Sequence, residues 1–388
     1  MKIKIYYGGW YQRTTLHLSE IYDFLKRGHS NLDLDKDKLE LLRNGLGLVS
    51  VSRENDYFEY VLAKNDQDIE IKYFEDGLYL LSIESEDLLS SKEKIESYFK
   101  YQLSPSISYI FSLGAPTPKV LANITNAHPF VVAVETKNHL SYEVDIKVFG
   151  EVYSTIKSKD YTVFKTPGYI VIAVNKNKIK DISNLVEMQI FFREFKDQLD
   201  KYLNIHRKIW EDITKIKEMG SIRGKDISIN RMNLDSYDRS INLINNRINQ
   251  MGSYVKTRQA ISKELDIESN LTKLFDYKFE TLMNTLSYIK EVWAMTKDYV
   301  KNVISVLSDI ENQSLNNSIK SLQIITSIGV VSGIFGYLTR SEIPKITSAG
   351  WQYLVLLIVS TVVVNLLVIV YYRSIKYKLK ISGTSNSI

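Results

Sequence analysis

The sequence predicts an α+β domain, then a long-helix stalk, then a two-helix transmembrane hairpin. Three observations carry this prediction. Residues 1–178 show short apolar segments separated by turn signals. After Ile182 the apolar residues recur at three-four spacing. Beyond Lys320 two long stretches carry no charge.

In the first region, Lys2 to Tyr7 alternates as a strand does. Ile69 to Ile83 reads as a hairpin turning at Asp76-Gly77. Phe130 to Val134, Val152 to Ile156, Tyr161 to Phe164 and Tyr169 to Val174 read as further strands, with Pro167-Gly168 as a turn. Helical patterns occur at Leu18 to Lys26, Leu39 to Arg43 and Lys92 to Tyr101. A sheet covered by helices is the natural outcome. Residues 1–178 are therefore expected to form a cytoplasmic mixed α/β domain.

All six prolines lie at 105, 116, 118, 129, 167 and 344, so none interrupts 168–343. That suits long helices, because an internal proline breaks the hydrogen-bond ladder. Residues 179–320 are expected to form a long-helix stalk bundle. Met188, Phe192, Phe195, Leu199, Tyr202, Ile209, Ile213 and Ile216 mark its first helix, which Gly220 and Gly224 break. Ile241, Ile244, Ile248, Met251, Val255, Ile261 and Leu265 mark the second. Leu282, Leu286, Ile289, Trp293, Val300, Val303, Leu307 and Ile310 mark the third, a near-heptad seam with Thr296 as its polar member. This helix is expected to start near Leu271, to run on into the first membrane segment, and to reach about 100 Å at ~1.5 Å per residue. A helix of that length calls for partners and an oligomer.

The membrane segments are expected at 321–339 and 351–372, joined by an outer loop at 340–350. A span needs about 20 apolar residues, so the first is only just long enough. The second is more apolar, with Trp351 and Tyr353 at one interface and Tyr371 and Tyr372 at the other. Arg373, Lys376, Lys378 and Lys380 lie in a basic tail, 373–388. This charge bias places both termini in the cytoplasm of a multi-pass protein of the cell membrane.

Composition limits the remaining options. The 388 residues contain no cysteine, which excludes disulfides and thiolate metal sites. A net charge of +5 is too small for the concentrated basic face of a nucleic-acid binder, and no direct nucleic acid partner is expected. The five histidines, at 17, 29, 128, 139 and 206, show no metal-ligand spacing. His206 reads as a packed residue on an apolar helix face, and Lys256 and Arg258 as a charged helix face. Asp33, Asp35 and Asp37 lack the glycine and closing glutamate of a calcium loop, so a solvated loop is the better reading. No phosphate loop, nucleophile elbow or catalytic constellation occurs, and no enzyme is expected.

Asn316 to Lys320, Leu322-Gln323-Ile324-Ile325-Thr326, Gly333-Ile334-Phe335-Gly336, Ile343-Pro344 and Gly350-Trp351-Gln352-Tyr353, set in the plan of domain, long helix and hairpin, give the chain a resemblance to the CorA family of magnesium channels. The family signature Gly-Met-Asn stands here as Gly336-Tyr337-Leu338, and Leu338 has no oxygen to offer a cation. The loop residues Arg340, Glu342 and Lys345 are net positive, where the family loop is often acidic. A ring of such loops would repel Mg²⁺.

The resemblance implies a homopentamer whose first membrane helix lines a pore. Asn312, Asn316, Gln323, Ser327, Val330, Ile334 and Tyr337 would then share the pore face. Uncharged amides suit hydrated ions, and Val330 with Ile334 would form an apolar constriction. Alternatively, Gln323 and Ser327 join neighbouring helices by hydrogen bonds. Gly329 and Gly333 permit close helix approach, and Asn365 reads as an inter-helix contact. Three functions follow. One is a divalent-cation channel with Mg²⁺ as transported or regulatory ion and metal ligands unknown. The second is a ligand-gated effector pore of antiviral defence, of the type III CRISPR-associated kind, activated by a nucleotide second messenger. The third is a non-conducting membrane scaffold. The expected partners are the lipid bilayer, further copies of the chain, a metal cation and, for the effector, the nucleotide.

Overall fold

The computed structural model of the chain describes residues 3–11, 17–114, 128–175, 179–338 and 348–379. In chain order these form β1 (Ile3–Trp10), α1 (Leu18–Arg27), α2 (Lys36–Gly45), β2 (Leu48–Asn55), β3 (Glu59–Asn65), β4 (Glu70–Phe74) and β5 (Leu78–Ser85). There follow α3 (Leu88–Tyr98), a π-helical turn (Phe99–Leu103), α4 (Ser104–Gly114), β6 (Phe130–Thr136), α5 (Ile146–Phe149), β7 (Ser154–Lys157), β8 (Tyr161–Lys165) and β9 (Tyr169–Asn175). The remainder is α6 (Ile179–Glu218), β10 (Ser221–Arg223), α7 (Gly224–Glu264), α8 (Glu268–Phe275), α9 (Phe279–Leu338), α10 (Ser348–Ser374) and β11 (Lys376–Lys378). Two compact units result. The first comprises Met1–Ile205 with Leu243–Val292, and the second His206–Asn242 with Trp293–Ile388.

The first unit is built on a nine-stranded sheet of order β2-β3-β4-β5-β1-β6-β9-β8-β7. Its pairings are antiparallel except β6 with β9. Ile5 sits opposite Ile83 on one side and Val132 on the other. Both faces of the central strands are apolar, as strands covered on both sides must be. One face buries Ile5, Leu81, Val132 and Val171 with Ile21, Phe24, Ile95 and Ile107 of the flanking helices. On the other face Trp10 meets Phe191 and Phe195 of α6, with ring centroids at 5.0 and 6.3 Å. Gly8 permits this approach, because a Cβ there would lie 2.6 Å from the Tyr79 carbonyl oxygen and 3.3 Å from Ile190.

Local chemistry bounds several of these elements. Asp35 caps α2 by accepting from the Lys38 amide, which gives one of the three alternate aspartates a structural role. Asp87 caps α3 through the amides of Leu89 and Ser90. The Asp76-Gly77 turn joins β4 and β5, with Gly77 at φ 89°. Gly220, at φ 58°, follows the end of α6. Asp276 takes the left-handed cap of α8 at φ 58°. The third long helix therefore starts at Phe279 rather than near Leu271, and its 60 residues make it about 90 Å long. Its seam from Leu282 to Ile310 is buried, Thr296 included.

In the second unit, β10 and β11 form a two-stranded antiparallel sheet. Trp210 packs on Tyr299 with centroids 5.2 Å apart, and the Tyr237 hydroxyl donates to Asp212 at 2.6 Å. Arg231 pairs with Glu311.

The expected transmembrane hairpin requires correction. Among the described residues, no helix is long and apolar enough to cross a membrane. Polar residues interrupt both candidate segments: Gln323, Thr326, Ser327 and Ser332 in α9, and Ser360, Thr361 and Asn365 in α10. A span needs about 20 predominantly apolar residues in one run. The membrane and channel assignments and the multi-pass location in the cell membrane rested on that hairpin, and they fall with it. The α+β domain and the long helices stand.

Candidate functional site

The distinctive surface lies on the outer half of α9. Ile319, Leu322, Gln323, Thr326, Ser327, Val330 and Val331 line an open groove of about 540 Å³. Every described position from Gln323 to Ile334 is exposed, so apolar side chains occur all round the helix. Ile324, Ile328 and Val331 are at least 60% exposed, and on α10 so are Leu356 and Leu367. Two hydroxyls here bond locally. The Thr326 hydroxyl donates to the Leu322 carbonyl at 2.8 Å, and Ser321 shares a hydrogen bond with the Tyr372 hydroxyl at 2.7 Å. Cβ atoms added at Gly329, Gly333 or Gly336 would meet nothing within 4 Å.

The residues expected on a common face all lie on α9. Asn312, Asn316, Gln323, Ser327, Val330 and Ile334 are exposed, and the groove gathers Gln323, Ser327 and Val330. Tyr337 and Leu338 close the helix, and their side chains lie outside the described residues. Arg340, Glu342 and Lys345 also lie outside the described residues. Asn365 is half-buried on α10.

The sequence reading missed two charged clusters in the first unit. Arg258, read as part of a charged helix face, is fully buried. It donates to both oxygens of Asp76 at 2.7 and 3.1 Å and also pairs with Glu187. The rings of Phe58, Phe74 and Phe191 lie 4.7–5.3 Å from its guanidinium carbon. Burial opposes the charged guanidinium, but Asp76 and Glu187 outweigh it and hold its pKa above the ordinary value. Burial raises the Glu187 carboxyl, although Arg258 works against that shift. Beside this cluster a pocket of about 90 Å³ is lined by Asp56, Tyr60, Lys72, Asn184 and Glu187 among others. That is well under the ~300–1,000 Å³ of ordinary small-molecule sites, so a nucleotide does not fit there.

The second cluster gathers around His128, whose Nε2 lies 3.2 Å from both Glu194 Oε1 and Asp197 Oδ2. Arg193 pairs with the same Glu194 oxygen at 2.9 Å and donates to the carbonyls of Gly8 and Pro129. Burial, Arg193 and Lys201 push the imidazole down to about 4, so it is neutral at pH 7. Burial pushes the Glu194 carboxyl up. Among the described residues no group of three or more His, Asp or Glu could hold a metal ion. His206, also depressed by burial, stacks on Trp210 at 6.1 Å and meets Trp293 edge-on at the same distance. Neither charged cluster could be read from spacing, because Arg258 is 182 residues from Asp76 and His128 is 66 from Glu194.

No protein-family model, curated protein or solved structure matches the chain. The resemblance to the CorA family therefore stands on the quoted motifs alone. Taken together, the described residues offer an extended apolar contact area on α9 and α10 and two charged clusters in the first unit.

Proposed function

We propose that the chain is a non-catalytic scaffold that works as a homo-oligomer, with outer α9 and α10 covered by further copies. The observation that carries this reading is the exposure of aliphatic side chains along both helices, with Ile328 at 62%, Val331 at 64% and Leu356 at 66%. Contiguous apolar surface beyond a few hundred Å² marks an interaction site rather than a free surface. The apolar positions surround α9 instead of forming one stripe, so a single two-fold contact leaves part of them bare. A ring gives each copy two neighbours through a heterologous contact, and so covers two sides of the same helix. Gly329 and Gly333 leave space for a close neighbour on that helix. Ion conduction, which the resemblance implied, required the hairpin and is not part of this reading.

The test is the mass of the full chain in a mild non-ionic detergent, measured by light scattering after size exclusion. The expected result is a defined multiple of 44.9 kDa, together with a shift toward one copy in Ile328→Glu/Leu356→Glu. A wild-type monomer at micromolar concentration overturns the proposal.

A further inference from the structure

The second unit contains a small sheet that the assembly reading does not use. Its strand β10 follows the end of α6, and β11 follows the end of α10. The register sets Ser221 opposite Lys378, Ile222 opposite Tyr377 and Arg223 opposite Lys376. Two backbone bonds extend the ladder at its ends: Gly224 N to Ile375 O at 3.1 Å, and Leu379 N to Gly220 O at 3.0 Å. Ile222 and Leu379 are buried, and the Tyr377 hydroxyl donates to Ser314 on α9 at 2.8 Å. Gly224 is needed for this closure, because a Cβ there would lie 2.5 Å from the Tyr372 carbonyl oxygen. The tail thus ties together the start of α7, the end of α10 and a point on α9.

The tie is built against a repulsion. Backbone bonds at 220/379 and 224/375 alternate along an antiparallel ladder, so Arg223 and Lys376 form a non-hydrogen-bonded pair, where side chains stand closest. Like charges directly opposite destabilise a sheet. Neither cation has an ion-pair partner among the described residues, and both are exposed. Asp226 lines the same surface recess as Arg223 and Lys376 and forms an ion pair with neither. A three-residue ladder with one opposed cation pair belongs to the low-stability end of a fold, where local opening precedes global unfolding.

We propose that β11 is a releasable strap: unit 2 exchanges between a strapped form and an open form, and the Arg223–Lys376 repulsion sets the balance. The inference is independent of the assembly reading, since every contact it uses lies within one copy. Release frees the end of α10 from the start of α7 and from Ser314, and leaves the rest of the unit folded.

The experiment is amide hydrogen exchange on the full chain, read at Gly224 and Leu379. In wild type both are expected to exchange far faster than the buried sheet amides of β1 and β6. Lys376→Glu turns the opposed pair into an attractive one and should slow both amides about threefold to fivefold. Added salt should slow them in wild type and speed them in the variant, because screening acts on repulsion and attraction alike. Gly224→Ala should speed Leu379 about tenfold without changing the β1 amides. Equal rates in wild type and Lys376→Glu, or release of Gly224 and Leu379 only together with β1 and β6, would overturn the strap. The readout does not depend on oligomer mass, so failure of the assembly reading is seen separately.

Discussion

Two regions reverse the usual placement of side chains, and they do so in opposite ways. In the first unit Arg258 and Asp76 are charged and fully buried. In the second, outer α9 and α10 are aliphatic and exposed. The buried charges are satisfied within their own unit, by two carboxylates and three aromatic rings. The exposed aliphatics have no such internal solution. A reversed polar group can be closed by a few directional bonds, whereas a reversed apolar surface needs area, and the area has to come from another molecule. The first region is therefore read as structural and the second as functional.

The largest expected effect breaks the first half of this comparison. Arg258→Ala leaves Asp76 and Glu187 buried without their cation, and breaking a buried pair in this way costs about 3–5 kcal/mol. Chemical denaturation of the full chain should show that loss in its first transition. A loss under 1 kcal/mol would mean that water reaches the carboxylates, and that the cluster is not closed. Replacing Arg258, Asp76 and Glu187 together by apolar residues should cost less than Arg258→Ala alone, because the penalty lies in the uncompensated charge.

The stalk was more legible in the sequence than this cluster, for a physical reason. Helical seams depend on local periodicity, and the named positions from Met188 to Ile216 and from Leu282 to Ile310 are buried. Turn chemistry is also local, so Asp76-Gly77 and Pro167-Gly168 could be placed from the chain alone. Strands β2 and β3 escaped notice. β2 carries Ser50, Ser52, Arg53 and Glu54 at the sheet edge, where an alternating apolar pattern is not required. Helix α4, outside the expected helical patterns, carries Pro105 as its second residue, and a proline in the first turn fits a helix. Arg258 could not be found, because burial of a charge depends on partners far away in sequence. The expected hairpin fails because apolar runs are also local, and the same runs serve any contact that excludes water.

A medium effect sharpens the comparison through the second ionic cluster. The His128 pKa is held at about 4 in the folded chain, against about 6.5 unfolded. Below pH 6.5 the unfolded chain takes up a proton that the folded chain refuses. The contribution of His128 is therefore fully present above pH 6.5 and is lost as pH falls toward 4. Glu194 acts in the opposite sense, since its raised folded value makes the folded chain hold a proton more firmly as pH falls. His128→Asn removes only the first effect and keeps a neutral donor beside the carboxylates. The variant should lose about 1–2 kcal/mol less than wild type between pH 6.5 and 4, after allowance for partial solvent screening. Denaturation midpoints followed across that range measure the difference, and parallel curves would show that the imidazole is not held neutral by its surroundings.

The smallest expected effect tests whether exposure alone marks function. Val49 on β2 and Leu41 on α2 are 73% and 71% exposed, more than any described aliphatic side chain of outer α9. No sequence neighbour of either is an exposed large hydrophobic residue, and single surface aliphatics are ordinary. If contiguity is what matters, Val49→Ser and Leu41→Ser should each change stability by no more than about 0.5 kcal/mol. Both should also leave the mass of the assembly unchanged. Ile328→Glu/Leu356→Glu acts on less exposed positions and should lower that mass. A change in mass for Val49→Ser or Leu41→Ser would move the contact surface to the first unit and would leave outer α9 without the role assigned to it.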